Sequence, residues 1–449
     1  MSYVIFWGCH IPARFTHLEY SMKKVLDAFG VDYSENERFS CCPENYGIKS
    51  LGHENWLLTA GRNLALAEAM GRDLLCACNG CYSSLKSAQA ELSWNNFARD
   101  RLNQALLEFG LEYQGTLQVK HFLEFFYEEI TPSGIKRRIK RPLLEIPVAV
   151  HPGCHLLSPS KFLRFDQPLV AKKFDQLVSA TYAKPIQYLT KFLCCGGSFN
   201  YAGEDELSLE AVRTKLKELN QLSASAIITG CPSCYSQFDT GQLLLQRKGE
   251  KFNIPVLYYT ELLGLGLGFS SEELALDRHR ISVDSLLEGL KEKEARLSRF
   301  KGIIDLEMMA QCLGCSACRD DCPGIKLTNG KFDPFEIFKQ ILNGELEEVI
   351  SGKQIWQCLD CYTCYELCGQ AIGMNRFFQE LRRLSVGEGL GLDSVKSAID
   401  SFKNTGLVVK PSQSVRKRLG LKELKPLPEA EIKGFFLKLN EKKRGLRNE

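Results

Sequence analysis

The sequence lacks any uninterrupted apolar run long enough to cross a bilayer. The nearest, Pro255 to Phe269, is short and carries Glu261 and several glycines. Net charge is small as well: 57 Lys and Arg against 54 Asp and Glu leave +3, which gives no general argument for a nucleic-acid or membrane partner. No G-x-G-x-x-G fingerprint is present, so flavin and pyridine-nucleotide chemistry are expected on another chain. No low-complexity stretch stands out. Met1 to Gly8 has no basic lead and too short an apolar run for a secretory signal; it reads as a buried strand. These absences point to a soluble, cytoplasmic, globular chain whose 449 residues, 44% of them apolar, suffice for two to four compact units.

Against this plain background stand nineteen cysteines. In a reducing cytoplasm they are expected as metal thiolates rather than disulfides. Positions 9, 41, 42, 76, 78 and 81 form one set, and 154, 194, 195, 231 and 234 a second. Both follow one plan: a Cys, thirty-one or thirty-nine residues, an adjacent Cys pair, thirty-five residues, then Cys-x-x-Cys. The plan is an internal duplication, and the flanks support it. Tyr3 to Gly8 before Cys9 matches Val148 to Gly153 before Cys154, each ending in Gly-Cys-His. Leu74 to Ala77 leads into Cys78, and Ile227 to Gly230 into Cys231, so each repeat places its cysteines where strands end. Amphipathic helical stretches lie between them, Glu54 to Met70 and Leu207 to Leu222, and each repeat closes on a strand and a helix, Leu117 to Tyr127 and Pro255 to Leu263. Alternating strand and helix predicts an α/β unit with a parallel sheet, its sites at the carboxyl ends of the strands.

The expected organisation is two similar parallel-sheet repeats, 1–140 and 141–270, then a helical linker, 271–300. A mainly helical two-cluster ferredoxin-like domain, 301–385, and a basic C-terminal segment, 386–449, follow. The joint from Thr131 to Pro147 holds a basic run, Ile135 to Arg141, and reads as a solvated linker. Ser270–Ser271–Glu272–Glu273 opens the next segment as a capped turn. From Lys403 to Glu449 thirteen Lys and Arg face five Glu, which reads as a solvated face or a docking surface for an acidic partner.

The two remaining sets, Cys312, Cys315, Cys318, Cys322 and Cys358, Cys361, Cys364, Cys368, both have the C-x₂-C-x₂-C-x₃-C spacing of [4Fe–4S] ferredoxins. Three thiolates in one tight loop cap three irons, and the fourth reaches across to the other cluster. On that pattern one cubane takes Cys312, Cys315, Cys318 and Cys368, and the other Cys358, Cys361, Cys364 and Cys322. Paired Cys-x-x-Cys also builds zinc sites, but four cysteines per set and Pro323 after Cys322 favour the cubane. Five cysteines in each duplicated set, by contrast, exceed what one tetrahedral metal or one ordinary cubane needs.

Here the sequence resembles the catalytic B subunit of heterodisulfide reductase over roughly residues 1 to 265, and the ferredoxin-type segment resembles the C subunit of the same enzyme. The whole looks like a fused B and C pair. The resemblance implies a noncubane [4Fe–4S] cluster on Cys9, Cys41, Cys42, Cys78 and Cys81, and a second on Cys154, Cys194, Cys195, Cys231 and Cys234. It further implies that a disulfide is split reductively at this pair, with electrons arriving one at a time through the two cubanes. The donor would be a flavin-containing A-type subunit, with a hydrogenase, formate dehydrogenase or other electron-input module beyond it. In methanogens the family acts on the coenzyme M–coenzyme B heterodisulfide, which ties it to anaerobic metabolism and methanogenesis.

Three departures stand out. The first repeat has Cys42–Pro43 where the second has Cys195–Gly196–Gly197; Cys76, opposite Thr229, is outside the plan and reads as a buried bystander thiol or as a further ligand or redox group; and the ferredoxin part comes last. That order speaks against the related lactate or glycolate oxidase iron–sulfur subunits, where it usually precedes the repeats. A non-catalytic iron–sulfur scaffold is the further alternative, against which the complete cysteine sets argue. His10 and His155, each after the first Cys, read as structural hydrogen-bonders or proton donors to a nascent thiolate. Tyr82 and Tyr235 read as packing against a cluster.

Overall fold

The apolar runs that precede the cysteines are short parallel strands. In a computed structural model of the chain, which describes residues 2–43, 46–298, 300, 312, 315, 317–369, 372–428, 430–432 and 434 (Leu51 by its backbone only), two four-stranded sheets form. The first holds β1 (Ser2–Phe6), β2 (Asp32–Ser34), β3 (Asp73–Cys76) and β4 (Val119–His121) in the order β2-β1-β3-β4. The second holds β5 (Pro147–His151), β6 (Lys184–Ile186), β7 (Ala226–Thr229) and β8 (Val256–Tyr258) in the order β6-β5-β7-β8. Every pairing is parallel. Central strands of such sheets are covered on both faces and read as continuous apolar runs; Val4, Ile5, Leu74, Leu75, Val148, Ala149, Ile227 and Ile228 are fully or almost fully buried.

The registers of the two sheets coincide. At the carboxyl edge Phe6 stands beside Cys76 and Cys76 beside His121, while His151 stands beside Thr229 and Thr229 beside Tyr258. The helices foreseen around Glu54–Met70 and Leu207–Leu222 are His53–Ala69 and Asp205–Gln221. Each repeat also ends on the same device, a carboxylate that turns back on the last strand. Glu124 accepts the His121 backbone N–H at 3.3 Å, and Glu261 accepts that of Tyr258 at 2.7 Å, closing a capping box in each case.

The two repeats belong to one compact unit rather than to two, running from Met1 to Ser298 with Leu306–Cys315. An aromatic core joins them: Phe122 stacks on Tyr258 with centroids 5.1 Å apart, and Tyr259 meets Phe126 and Phe174 edge-on. The joint between repeats is no solvated linker. Ile135, Ile139, Leu143 and Leu144 are buried, and the Lys140 and Arg141 backbone N–H groups both reach the Gly266 carbonyl at 2.9 Å. An apolar residue every fourth position inside the basic run seats it on the second repeat, while Arg137 and Arg138 stay in water.

Residues 271–298 are likewise part of this unit and not a free linker. Ser270 and Glu273 form the foreseen reciprocal cap (2.9 and 3.2 Å), and the helix Asp284–Ser298 buries Leu286, Leu290 and Leu297. Arg141 also pairs with Glu294 through two bonds of 2.6 and 3.2 Å. Residues 301–311 and 435–449, parts of the expected ferredoxin-like and basic segments, lie outside the described residues.

The second unit, Arg299–Asp305 with Ser316–Glu449, is helical. Its core gathers Phe332, Phe338, Phe377 and Phe378 between the helices Pro334–Asn343 and Met374–Gly387. The basic segment contributes the helices Asp393–Thr405 and Gln413–Arg418, neither with a buried residue.

Within the first unit, Tyr258 is buried with its hydroxyl donating to the Ala77 carbonyl and lying 3.3 Å from that of Gly230. These carbonyls immediately precede Cys78 and Cys231. Tyr258→Phe should therefore cost about 1–3 kcal/mol of stability by orphaning a buried acceptor. The loss is read as a lowered thermal midpoint in calorimetry; an unshifted midpoint would show that the bridge contributes nothing.

Candidate metal centre

In each sheet the chain leaves the first strand on one side of the neighbouring strand pair and the third on the other, so a crevice opens at the carboxyl ends. The duplicated cysteines sit there. Cys9 and Cys154 follow β1 and β5, the pairs Cys41–Cys42 and Cys194–Cys195 follow β2 and β6, and the Cys-x-x-Cys motifs follow β3 and β7. Cys78 and Cys231 each cap a long helix, Asn79–Trp94 or Pro232–Arg247, which puts Cys81 and Cys234 in its first turn. Backbone N–H groups at a helix start favour thiolate over thiol.

All ten of the cysteines expected from the duplication line a single cavity of about 380 Å³, together with Trp7, His10, Tyr46, Ile48, His155 and Tyr201. Cys76 does not: it is fully buried in β3, paired with Phe6 and His121, and burial pushes its thiol up. None of the nineteen cysteines is in a disulfide. The Cys9 and Cys41 sulfurs lie 4.0 Å apart within the first set, and Cys78 and Cys231, from the two sets, face the same cavity.

Sharing of thiol protons polarises the sets. Hydrogen bonds from Cys41 and Cys81 bring the Cys42 thiol down to about 5, and those from Cys154 and Cys195 hold Cys194 well below its ordinary value. Cys234, Cys78 and backbone amides do the same for Cys231. Their donors move up in turn, Cys81 and Cys234 strongly so. Ten converging soft donors, five to each repeat, suit iron–sulfur clusters better than a four-ligand zinc site.

Two glycines are required by this geometry. Gly8 and Gly153 have φ of +72° and +76°, and a Cβ on them would stand 2.6 Å from Cys81 Sγ and 2.5 Å from Asn79 Nδ2. Each repeat also braces the other's turn, through residues that the spacing of cysteines does not reveal. Asn79 donates to the Pro152 carbonyl at 2.7 Å, and Ser233 Oγ lies 3.4 Å from His10 Nδ1. Burial lowers the affinity of His10 for a proton. Tyr82 and Tyr235, expected against a cluster, point elsewhere. One position past the second Cys, the helix turns them into the core between the repeats, where Tyr82 donates to the Leu163 carbonyl (2.8 Å) and Tyr235 pairs with His17 (3.1 Å).

In the second unit Cys318, Cys322, Cys358, Cys361 and Cys364 line a small pocket of about 40 Å³, which brings Cys318 as well as Cys322 beside the three cysteines of the following set. Asp360 and Tyr362 hold that loop in left-handed conformations (φ 51° and 62°), Asp360 accepting from Gln379 at 2.8 Å and from Asn375 at 3.2 Å. Cys368 is half-buried; burial, with the nearby Cys364, Cys322 and Cys368 charges, pushes the Cys318 thiol up to about 11. Cys312 and Cys315 fall with the first unit, half-buried and exposed respectively.

Comparison with known proteins agrees with this geometry. Residues 3–86 and 148–239 match the CCG cysteine-rich domain, and 311–373 the 4Fe-4S dicluster domain. The B subunit of the Ferredoxin/F(420)H(2)-dependent CoB-CoM heterodisulfide reductase of Methanosarcina acetivorans is 40% identical over 65% of this chain and 98% of its own length. The chain belongs to the heterodisulfide reductase B-subunit family. Its C-terminal part is similar to the C subunit of the corresponding Methanosarcina acetivorans reductase, at 29% identity over 27% of this chain and 73% of that protein. It is thus a B–C fusion, an iron–sulfur protein of the oxidoreductase class. The 8-methylmenaquinol:fumarate reductase membrane anchor subunit of Wolinella succinogenes is 30% identical over 64% of this chain and 99% of its own. A crystal structure of a hypothetical protein from Helicobacter pylori shares the fold, with a TM-score of 0.52 at 18% identity over 63% of this chain and 52% of that one. Among the described residues no helix is long and apolar enough to cross a membrane.

The cavity divides the cysteines of the two repeats into ten that face it and one that does not. Cys42→Ala should lower the iron bound per chain in anaerobically purified protein, whereas Cys76→Ala should leave it unchanged. Loss of iron in the Cys76 variant would make that thiol a ligand.

Proposed function

We propose that this chain is the catalytic and electron-transfer subunit of a heterodisulfide reductase-like complex, reducing a disulfide to two thiols. The observation that supports this most directly is the convergence of both five-cysteine sets on one cavity. Cys9, Cys41, Cys42, Cys78 and Cys81 would hold one noncubane [4Fe–4S] cluster, and Cys154, Cys194, Cys195, Cys231 and Cys234 the other. Cys312, Cys315, Cys318 and Cys368, and Cys358, Cys361, Cys364 and Cys322, would hold two cubanes that pass electrons from a flavin-containing A-type partner in the cytoplasm. The chemistry such clusters would supply is single electrons, two of which are needed to cleave one S–S bond. Two protons complete the products. His10 and His155, on the wall of the cavity, are the groups suited to deliver them.

The similarity to the fumarate reductase subunit favours a second reading, in which the repeats relay electrons without turning over a disulfide. The two separate on assay. Anaerobically loaded protein should oxidise a reduced dye when one member of a disulfide panel is added, and oxidised protein should develop a new paramagnetic signal on adding the matching thiol. Full iron occupancy with neither response would leave electron relay as the function.

A further inference from the structure

Among the positions at which the two sulfur sites differ, the duplication makes the last residue of the first strand directly comparable. His151 ends β5 where Phe6 ends β1, in the same register against the third strand of its sheet. His151 is 1% exposed, and its ring stands edge-on to Phe238 with centroids 4.9 Å apart. A ring nitrogen and the sulfurs of Cys195 and Cys234 all lie within 4.8 Å of one another. Neither ring nitrogen has a hydrogen-bond partner among the described residues. The Lys191 carbonyl beside the ring already accepts from Lys215 Nζ at 3.3 Å. An imidazole ring has at least one N–H to give. A buried N–H is rarely left without an acceptor. The acceptors beside the ring are the Lys191 carbonyl and the two sulfurs, and of these only the sulfurs would gain negative charge when a cluster there is reduced.

We propose that His151 is a positioning residue that directs its ring N–H at the Cys195 and Cys234 thiolates when the second site holds its cluster, and thereby raises that site's reduction potential above that of its twin. A hydrogen bond to a cluster thiolate stabilises the more negative, reduced state. Phe6 offers the first site no donor at the equivalent position. The first electron therefore settles on the second repeat, giving the duplicated pair a direction. This inference rests on the reading that both cysteine sets hold iron–sulfur clusters.

The test compares the full-length, anaerobically purified protein with His151→Phe, which copies the first repeat, and His151→Gln, which keeps an N–H donor. Mössbauer spectroscopy counts the iron, and EPR-monitored titration reads the potentials. We expect unchanged iron in all three, one midpoint displaced to lower potential in the Phe variant, and the Gln variant close to wild type. Pulsed EPR on protein with ¹⁵N-labelled histidine should show a weak coupling, absent from the Phe variant. At full iron occupancy, unchanged potentials in the Phe variant would overturn the inference and leave the proposed function standing. So would equal shifts or equal iron loss in both variants, or a coupling as strong as that of iron-bound nitrogen. Wild-type protein without iron in the duplicated sites would overturn the proposed function itself, and the inference with it.

Discussion

Cys78 and Cys231 line the same cavity, and with them the cysteine sets of both repeats share one space. Its supports come from both halves. The Tyr258 hydroxyl spans the carbonyls that precede the two cysteines, and Asn79 of one repeat holds the Pro152 carbonyl of the other. Gly8 and Gly153 let the chain turn tightly enough for the sulfurs to converge. A single repeat would present only half the donors, which is why the duplication is one compact unit and the joint between repeats is packed rather than loose.

Duplication does not make the halves equal. The residues one step below the cysteines are Phe6, Cys76 and His121 in the first sheet and His151, Thr229 and Tyr258 in the second. A two-electron cleavage driven by one-electron donors has to order its electrons. Two sites of matching strand register and different polar surroundings are a physical means of doing so.

Much of this was legible in the sequence, because thiolate ligands leave fixed spacings and parallel strands leave continuous apolar runs. The ten cavity cysteines and the isolation of Cys76 follow from aligning one repeat on the other. What stayed hidden depends on contacts between repeats. The packed joint was masked by its arginines and lysines, since the buried Ile135, Ile139 and Leu143 are spaced among charges that dominate composition. Tyr82 and Tyr235 were misplaced because adjacency to a ligand says nothing of helical phase. One residue along a helix is about 100° around it, enough to turn the ring from the cavity into the core. His151 passed for part of an apolar strand, and only its distance to Cys195 and Cys234 marks it.

The proposed function depends on both five-cysteine sets converging on one cavity that holds metal. Anomalous diffraction at the iron edge, from crystals of the anaerobically purified full-length protein, tests it most directly. Two distinct groups of iron are expected in that cavity, one within bonding distance of Cys9, Cys41, Cys42, Cys78 and Cys81 and one of Cys154, Cys194, Cys195, Cys231 and Cys234. Iron confined to the ferredoxin-type cysteines, or zinc in place of iron in the cavity, would contradict it.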